Sequence, residues 1–118
     1  MLAVVDKINI SIKENFVSTP GPRYIKEGKW SGEKLRIELI YPQFNKAIEE
    51  NKKIFIDLDG TSGYGTSFLE EVFGGLIREN KLKYSDIKNI LELKSEEEPY
   101  LIEDIEEYLL DAKNHNDE

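Results

Sequence analysis

Cysteine is absent from this chain of 118 residues. That removes disulfide and thiolate chemistry, and it fits a cytoplasmic protein. There is one histidine, His115, in the C-terminal tail with no evident partner. No nucleophile–histidine pair is expected, and no cluster of residues has metal-ligand spacing. No apolar run approaches the ~20 residues of a membrane-spanning helix, so no membrane association is expected. Leu2-Ala-Val-Val5 is too short for a signal-peptide core and has no basic lead-in. Basic charge is scarce in the second half. Residues 54–118 hold six Lys/Arg against seventeen Asp/Glu, while residues 1–53 hold ten against seven, for a net charge of −8. An acidic chain lacks the footprint that general nucleic-acid binding needs, so no direct nucleic-acid partner is expected. The cations Arg23, Lys26, Lys29, Lys34 and Arg36 form a small basic patch that could meet an anion, though scattered solvated charges are the better reading.

What is present suits one domain over residues 1–118, with a frayed tail at 113–118. The 39% apolar content is enough for a core. Residues 7–13 alternate apolar Ile8, Ile10 and Ile12 with polar neighbours, the pattern of a half-buried strand of edge or antiparallel type. Thr19-Pro-Gly-Pro-Arg-Tyr24 must be irregular. A short extended piece is expected over 24–30. Ser31 is a candidate helix N-cap. The helix it opens has a buried stripe of Ile37, Ile40, Tyr41, Phe44, Ala47 and Ile48, and Pro42 predicts a kink or break. Ile54-Phe55-Ile56 reads as a central strand covered on both faces. Gly60, Gly63 and Gly65 then allow backbone angles closed to other residues. A helix follows with Phe68, Leu69, Val72, Phe73, Leu76 and Ile77 on one face. Gly74-Gly75 weaken it, which points to close approach of another backbone or an early end. Residues 84–88 read as a turn and 89–94 as a third strand. A last helix buries Leu101, Ile102, Ile105, Tyr108, Leu109 and Ala112 and shows an acidic opposite face. This order predicts a small α/β sandwich with a mixed or parallel sheet.

The stretch from Asp57 to Ile77 carries the chemistry. Gly60-x-x-x-x-Gly65-Thr66-Ser67 approaches a phosphate-binding loop, but the lysine that holds the outer phosphates is missing. Turn glycines explain it better. Ile54-Phe-Ile-Asp57-Leu-Asp59-Gly-Thr61 resembles the first motif of haloacid-dehalogenase-type phosphatases. That likeness implies Asp57 as nucleophile and Asp59 as acid/base around magnesium. The motif lies mid-chain, too few residues follow it, and only Lys94 and Glu103-Asp104 stand as further candidates. Without catalysis, the two carboxylates would cap nearby backbone amides.

A third likeness covers more of the chain. An apolar strand, a short loop and a helix that begins with hydroxyl residues resembles STAS domains, the fold of anti-sigma-factor antagonists. Their pattern is D-S-S-G-L. Thr66 falls at the phosphorylatable serine and Ser67 at the next, while Gly65 replaces the aspartate and Phe68 the glycine. Gly21-Pro-Arg23, Ser31-Gly-Glu33, Asp57-Leu-Asp-Gly60 and the run from Gly63 to Leu76 are similar to bacterial STAS-like proteins of the DUF4325 type. The resemblance implies a small STAS-like sandwich, mixed sheet, with helices packed mainly on one face. It implies a non-enzymatic regulatory or scaffolding domain without cofactor or metal. Its partner would be a protein, either a histidine-kinase-like ATPase or a subunit of its own kind. Thr66 and Ser67 are the phosphoacceptor candidates, with Gly63, Tyr64, Gly65 and Glu70 as the surrounding partner surface. A helix cap is the ordinary alternative for the two hydroxyls. Arg23 is expected to pair with Asp57, Asp59 or Glu33, or with an anion on a partner. Tyr64 and Trp30 are candidate exposed anchors.

Overall fold

The structure, a computed structural model, describes residues 6–116. Leu2-Ala-Val-Val5 and the last two residues lie outside it. Three strands form one sheet in the order β1-β2-β3: β1 is Lys7–Ser11, β2 is Lys53–Asp57 and β3 is Leu91–Lys94. Both pairings are parallel, so the described sheet is parallel and not mixed. The reason is the connections. Helices lie between each strand and the next, and a parallel pair needs such a crossover. β1 is an edge strand, as its alternation predicted. It ends at Ser11, where the Ser11 hydroxyl accepts from the Glu14 amide and opens the one-turn helix α1, Ile12–Asn15.

The register sets the two faces. Ile8, Ile54 and Leu91 lie side by side, as do Ile10, Ile56 and Leu93. This face carries the core. The other holds Lys7, Asn9, Lys53, Phe55, Asp57, Glu92 and Lys94, none of them buried. The expectation that β2 is covered on both faces is therefore corrected. Phe55 is only half-buried, and Lys7 reaches across it to Glu92 at 2.7 Å.

After α1, residues 24–30 contain a 3₁₀ turn at Ile25–Glu27 in place of the extended piece expected there. Helix α2 then runs over 32–50. The Ser31 hydroxyl caps it, accepting from the Lys34 amide at 3.0 Å. Its middle, Arg36–Ile40, is a π turn, and Tyr41–Glu50 resumes the α form. Pro42 produces no break. The wide turn ahead of it, with the Tyr41 amide bonded to the Arg36 carbonyl, leaves room for a residue that lacks a donor. Leu35, Ile40, Phe44 and Ala47 are buried, whereas Ile37 and Ile48 face outward. The extra residue in the π turn shifts the face, so the simple helical stripe does not hold across it.

Helix α3 covers 66–78 and also has a π turn, Glu70–Gly74. Its six predicted core residues are all buried. Residues 84–90 form a short helix, α4 (Tyr84–Ile90), not a turn, because Ile87 is driven into the core. Helix α5, Tyr100–Asn116, packs on α3 and continues through 113–116, where a frayed tail was expected. Its buried line is Leu101, Ile105, Leu109 and Ala112, and Ile102 and Tyr108 are half-buried. Among the described residues no helix is long and apolar enough to cross a membrane.

Candidate functional site

β2 ends at Asp57, and the chain turns sharply through 58–65 into α3. Asp57 begins this turn by accepting from the Asp59 amide at 2.9 Å, a local bond that aspartate favours in turns. Asp59 accepts from the amides of Glu96 and Glu97, each at 3.0 Å, and so ties this loop to the one after β3. Those amide donors hold its carboxyl below the ordinary value. The Gly60 amide donates to Glu97 at 2.7 Å. Gly60 (φ 91°) and Gly63 (φ 122°) have the left-handed backbone that favours glycine. Gly65 does not. Its φ of −77° is ordinary and no atom lies where a Cβ would go, so the expectation for this glycine is corrected.

Tyr64 is half-buried. Its hydroxyl donates to the Leu58 carbonyl at 2.7 Å and its ring rests on Phe68. Burial pushes its pKa up to about 12, so it stays a neutral donor. Tyr64 therefore pins the loop and is not an exposed anchor. Trp30 is half-buried too, edge-on to Phe16 with ring centroids 5.4 Å apart.

The helix N-cap is Gly65, which has no side chain to cap with. Thr66 and Ser67 occupy the first two helical positions. Both are exposed and neither makes a capping bond. The cap reading is thus removed for both. Burial raises the pKa of Tyr108 on α5, against a smaller lowering influence of Thr66. The Ser67 hydroxyl has no hydrogen-bond partner among the described residues. The first intrahelical bond runs from the Leu69 amide to the Gly65 carbonyl, leaving the amides of 66–68 as the open donors of the helix end.

One turn further on lies an ion cluster. The Glu33 amide donates to the Arg23 carbonyl and the Gly32 amide to the Pro22 carbonyl. This folds the proline–glycine arm over the start of α2 and aims Arg23 at the middle of α3. Arg23 meets Glu70 at 2.5 Å and Glu71 at 3.2 Å. It does not pair with Asp57, Asp59 or Glu33, contrary to expectation. Glu33 instead accepts from the Ile25 amide at 2.9 Å. Arg78 meets Glu70 at 2.6 Å and Glu71 at 3.2 Å. Arg36 meets Glu71 at 2.9 Å and donates to Asn80 at 2.7 Å. Arg36 is 3% exposed and Glu71 2%, so this pair is inside the protein. Burial pushes Glu70 up, but Arg78 and Arg23 outweigh it and hold its carboxyl below the ordinary value.

The paired glycines belong to this cluster. A Cβ on Gly75 would lie 2.5 Å from the Arg36 Nε, and one on Gly74 would strike the Glu70 carboxylate. What approaches Gly74-Gly75 is charged side chain, not backbone. Close backbone approach occurs at Gly32 instead, where a Cβ would lie 2.5 Å from the Phe68 carbonyl oxygen. Sequence reasoning did not assign Glu71, Arg36, Arg78 and Asn80. A signal existed in Glu70, Gly74 and Arg78 at four-residue spacing, which stacks them on one helical face. Arg36 was misread as solvated, since nothing local marks a buried arginine.

The phosphatase constellation is assembled only in part. Lys94 comes within 3.7 Å of Asp57, but Asp59 is held by backbone amides. A general acid needs a pKa raised toward the working pH, and that of Asp59 is lowered. Among the described residues no cluster of three metal-ligating side chains exists.

The model of one protein family, a STAS-like domain of unknown function (DUF4325), matches residues 31–101. That is more than half of the chain, and the chain belongs to this family. The matched span includes the turn after β2, all of α3 and five of the six residues of the ion cluster described above, Arg36, Glu70, Glu71, Arg78 and Asn80. No curated protein and no solved structure matches it.

Proposed function

We propose that this STAS-like chain is a non-catalytic regulatory domain that binds a protein partner through the 60–65 loop and the first turn of α3. Ser67 is the switching hydroxyl, with Thr66 beside it. One observation carries the reading: Ser67 is exposed at the start of a helix whose following turns are buried, and its hydroxyl is not spent on a cap. A phosphate there adds a dianion at the positive end of the helix, beside the open amides of 66–68. Its bulk and charge then decide whether a partner docks. The loop that presents it is held by Asp59, Tyr64 and Gly60, so the surface is shaped before the partner arrives. STAS-like domains are generally non-enzymatic, which agrees with the amide-bound Asp59. A histidine-kinase-like ATPase is the partner class that best fits a phosphorylated hydroxyl in this position, and the setting is cytoplasmic.

The test is an affinity pull-down with the whole chain from its native cell, coupled to intact-mass measurement. The expected result is a captured protein that Ser67→Glu and Thr66→Glu lose and Ser67→Ala keeps, and a fraction of the chain heavier by one phosphate. Equal capture by the wild type and both glutamate variants sinks the proposal.

The approach of Lys94 to Asp57 keeps a second reading open to experiment, a magnesium-dependent phosphatase. It requires turnover of phosphate esters that Asp57→Asn abolishes. No turnover across a panel of such esters removes it.

A further inference from the structure

Two surfaces outside the proposed site are unlike the rest of the molecule. The first lies on the arm and the start of α2. Lys26, Lys29 and Lys34 take part in no ion pair among the described residues. They surround the rings of Tyr24 and Trp30: Lys26 is 5.7 Å from the Tyr24 centroid, and Lys29 and Lys34 are 5.1 and 4.9 Å from that of Trp30. Ile25 and Ile37 are exposed beside them, at 49% and 46%. An open groove of about 500 Å³ runs along Tyr24, Ile25, Lys26 and Glu33. The other two cations of the region, Arg23 and Arg36, are turned into the ion cluster, so these lysines are the outward cations of the surface, and the one carboxylate lining the groove, Glu33, accepts from the Ile25 amide.

The second surface is the outer side of α5. Glu103, Glu107 and Asp111 follow at four-residue spacing, are exposed, and enter no ion pair among the described residues. Leu110 is 44% exposed within this stripe and Tyr100 56% exposed at its start. Of the six exposed large hydrophobics in the described chain, Tyr24, Ile25 and Ile37 lie on the basic surface and Tyr100 and Leu110 on the acidic helix. Only Ile48 lies on neither.

We infer that the basic aromatic surface of one copy receives the acidic outer stripe of α5 from a second copy. Three lysines meet three carboxylates, and the groove beside Tyr24 and Ile25 accepts an apolar side chain such as Leu110. Both copies carry a net charge of −8, so their overall fields repel. At ordinary salt that repulsion is screened beyond a Debye length of about 10 Å, and the local match decides. A polyanion such as nucleic acid fits the lysines but gains nothing from the apolar groove, and it does not account for the matching stripe on α5. This inference does not depend on Ser67 or its phosphorylation.

Sedimentation velocity of the full chain over a wide concentration range tests it. The expected result is concentration-dependent association at about 0.1 M salt that weakens near 1 M, where screening falls to ~3 Å. Two variants each abolish it: Lys26→Glu/Lys29→Glu/Lys34→Glu, and Glu103→Lys/Glu107→Lys/Asp111→Lys. Mixed in equal amounts they associate again, because each then presents what the other lacks. Carbodiimide cross-linking of the wild type joins residues 26–34 of one copy to 103–111 of another, and this readout needs no variant to fold. A wild type that stays monomeric at every concentration overturns the inference. So does a mixture no heavier than its components, or cross-links that map elsewhere. Binding of an acidic peptide or an oligonucleotide by a monomeric wild type also overturns it.

Discussion

The start and the middle of α3 show opposite treatments of polar side chains. At its start, Thr66 and Ser67 stand exposed on a helix end that no side chain caps. A few residues later, Glu70 and Glu71 are gripped by three arginines, and two glycines make room for the grip. Solvent accounts for the contrast. Water satisfies a hydroxyl at an open end at no structural cost, whereas a buried carboxylate must be paired or pay heavily for its desolvation. The middle of the helix is therefore committed to holding arm, α2 and α3 together. The start stays open to solvent.

Four changes break or sharpen this comparison, taken from the largest effect down. Glu71→Ala leaves Arg36 buried without its carboxylate and is expected to cost about 3–5 kcal/mol, seen as a lower midpoint in urea unfolding. Replacing the pair together, as Arg36→Met/Glu71→Leu, is expected to recover much of that loss, because two apolar groups leave no uncompensated charge. Gly32→Ala is expected to cost about 1–3 kcal/mol, since its methyl would press on the Phe68 carbonyl oxygen, which is backbone and cannot swing away. Helix propensity alone predicts the opposite sign for this substitution, so the same unfolding experiment separates the two effects.

The third change is in pH. Glu70 has a folded pKa below its ordinary value of 4.5. A depressed carboxylate contributes stability that is complete above the unfolded value and is lost as pH falls through the folded one. Stability is expected to decline below about pH 4.5, and Glu70→Gln is expected to flatten that decline in thermal melts from pH 7 to pH 3. The smallest effect belongs to the open end. Ser67→Ala and Thr66→Ala are expected to change stability by less than about 0.5 kcal/mol each, since neither hydroxyl caps the helix. A loss near 1 kcal/mol in Ser67→Ala would show that it caps the helix after all, and would remove the contrast.

Much of the fold could be read in advance where the signal is local and repeated. The buried face of α3 followed from six apolar residues at helical spacing, and all six are in the core. The alternation of β1 and the cap at Ser31 were equally plain. The reading failed where one residue changes the phase. The π turn at Arg36–Ile40 turned Ile37 outward and absorbed Pro42. It failed again for short elements: α4 is only seven residues, and its burial of Ile87 depends on neighbours far away in sequence.

The site divides in the same way. Its position, after the central strand and at the start of a helix, was visible in the order of apolar run, glycines and hydroxyls. The partners were not. That Arg23 passes Glu33 and the two aspartates to reach Glu70, and that Tyr64 pins its own loop, depends on how the arm and loop fold over α3.

By itself the sequence determined the alternation of strands and helices, most of the core and the place of the exposed hydroxyls. These depend on periodicity and on residue chemistry, which act over a few residues. Only the tertiary structure decided which charges are buried together, why Gly75 is glycine, and which lysines remain outward. The charge pairs depend on contacts between segments 35 to 48 positions apart along the chain, as does the crowding of Gly75 by Arg36, and pairing at that range is decided by packing in three dimensions.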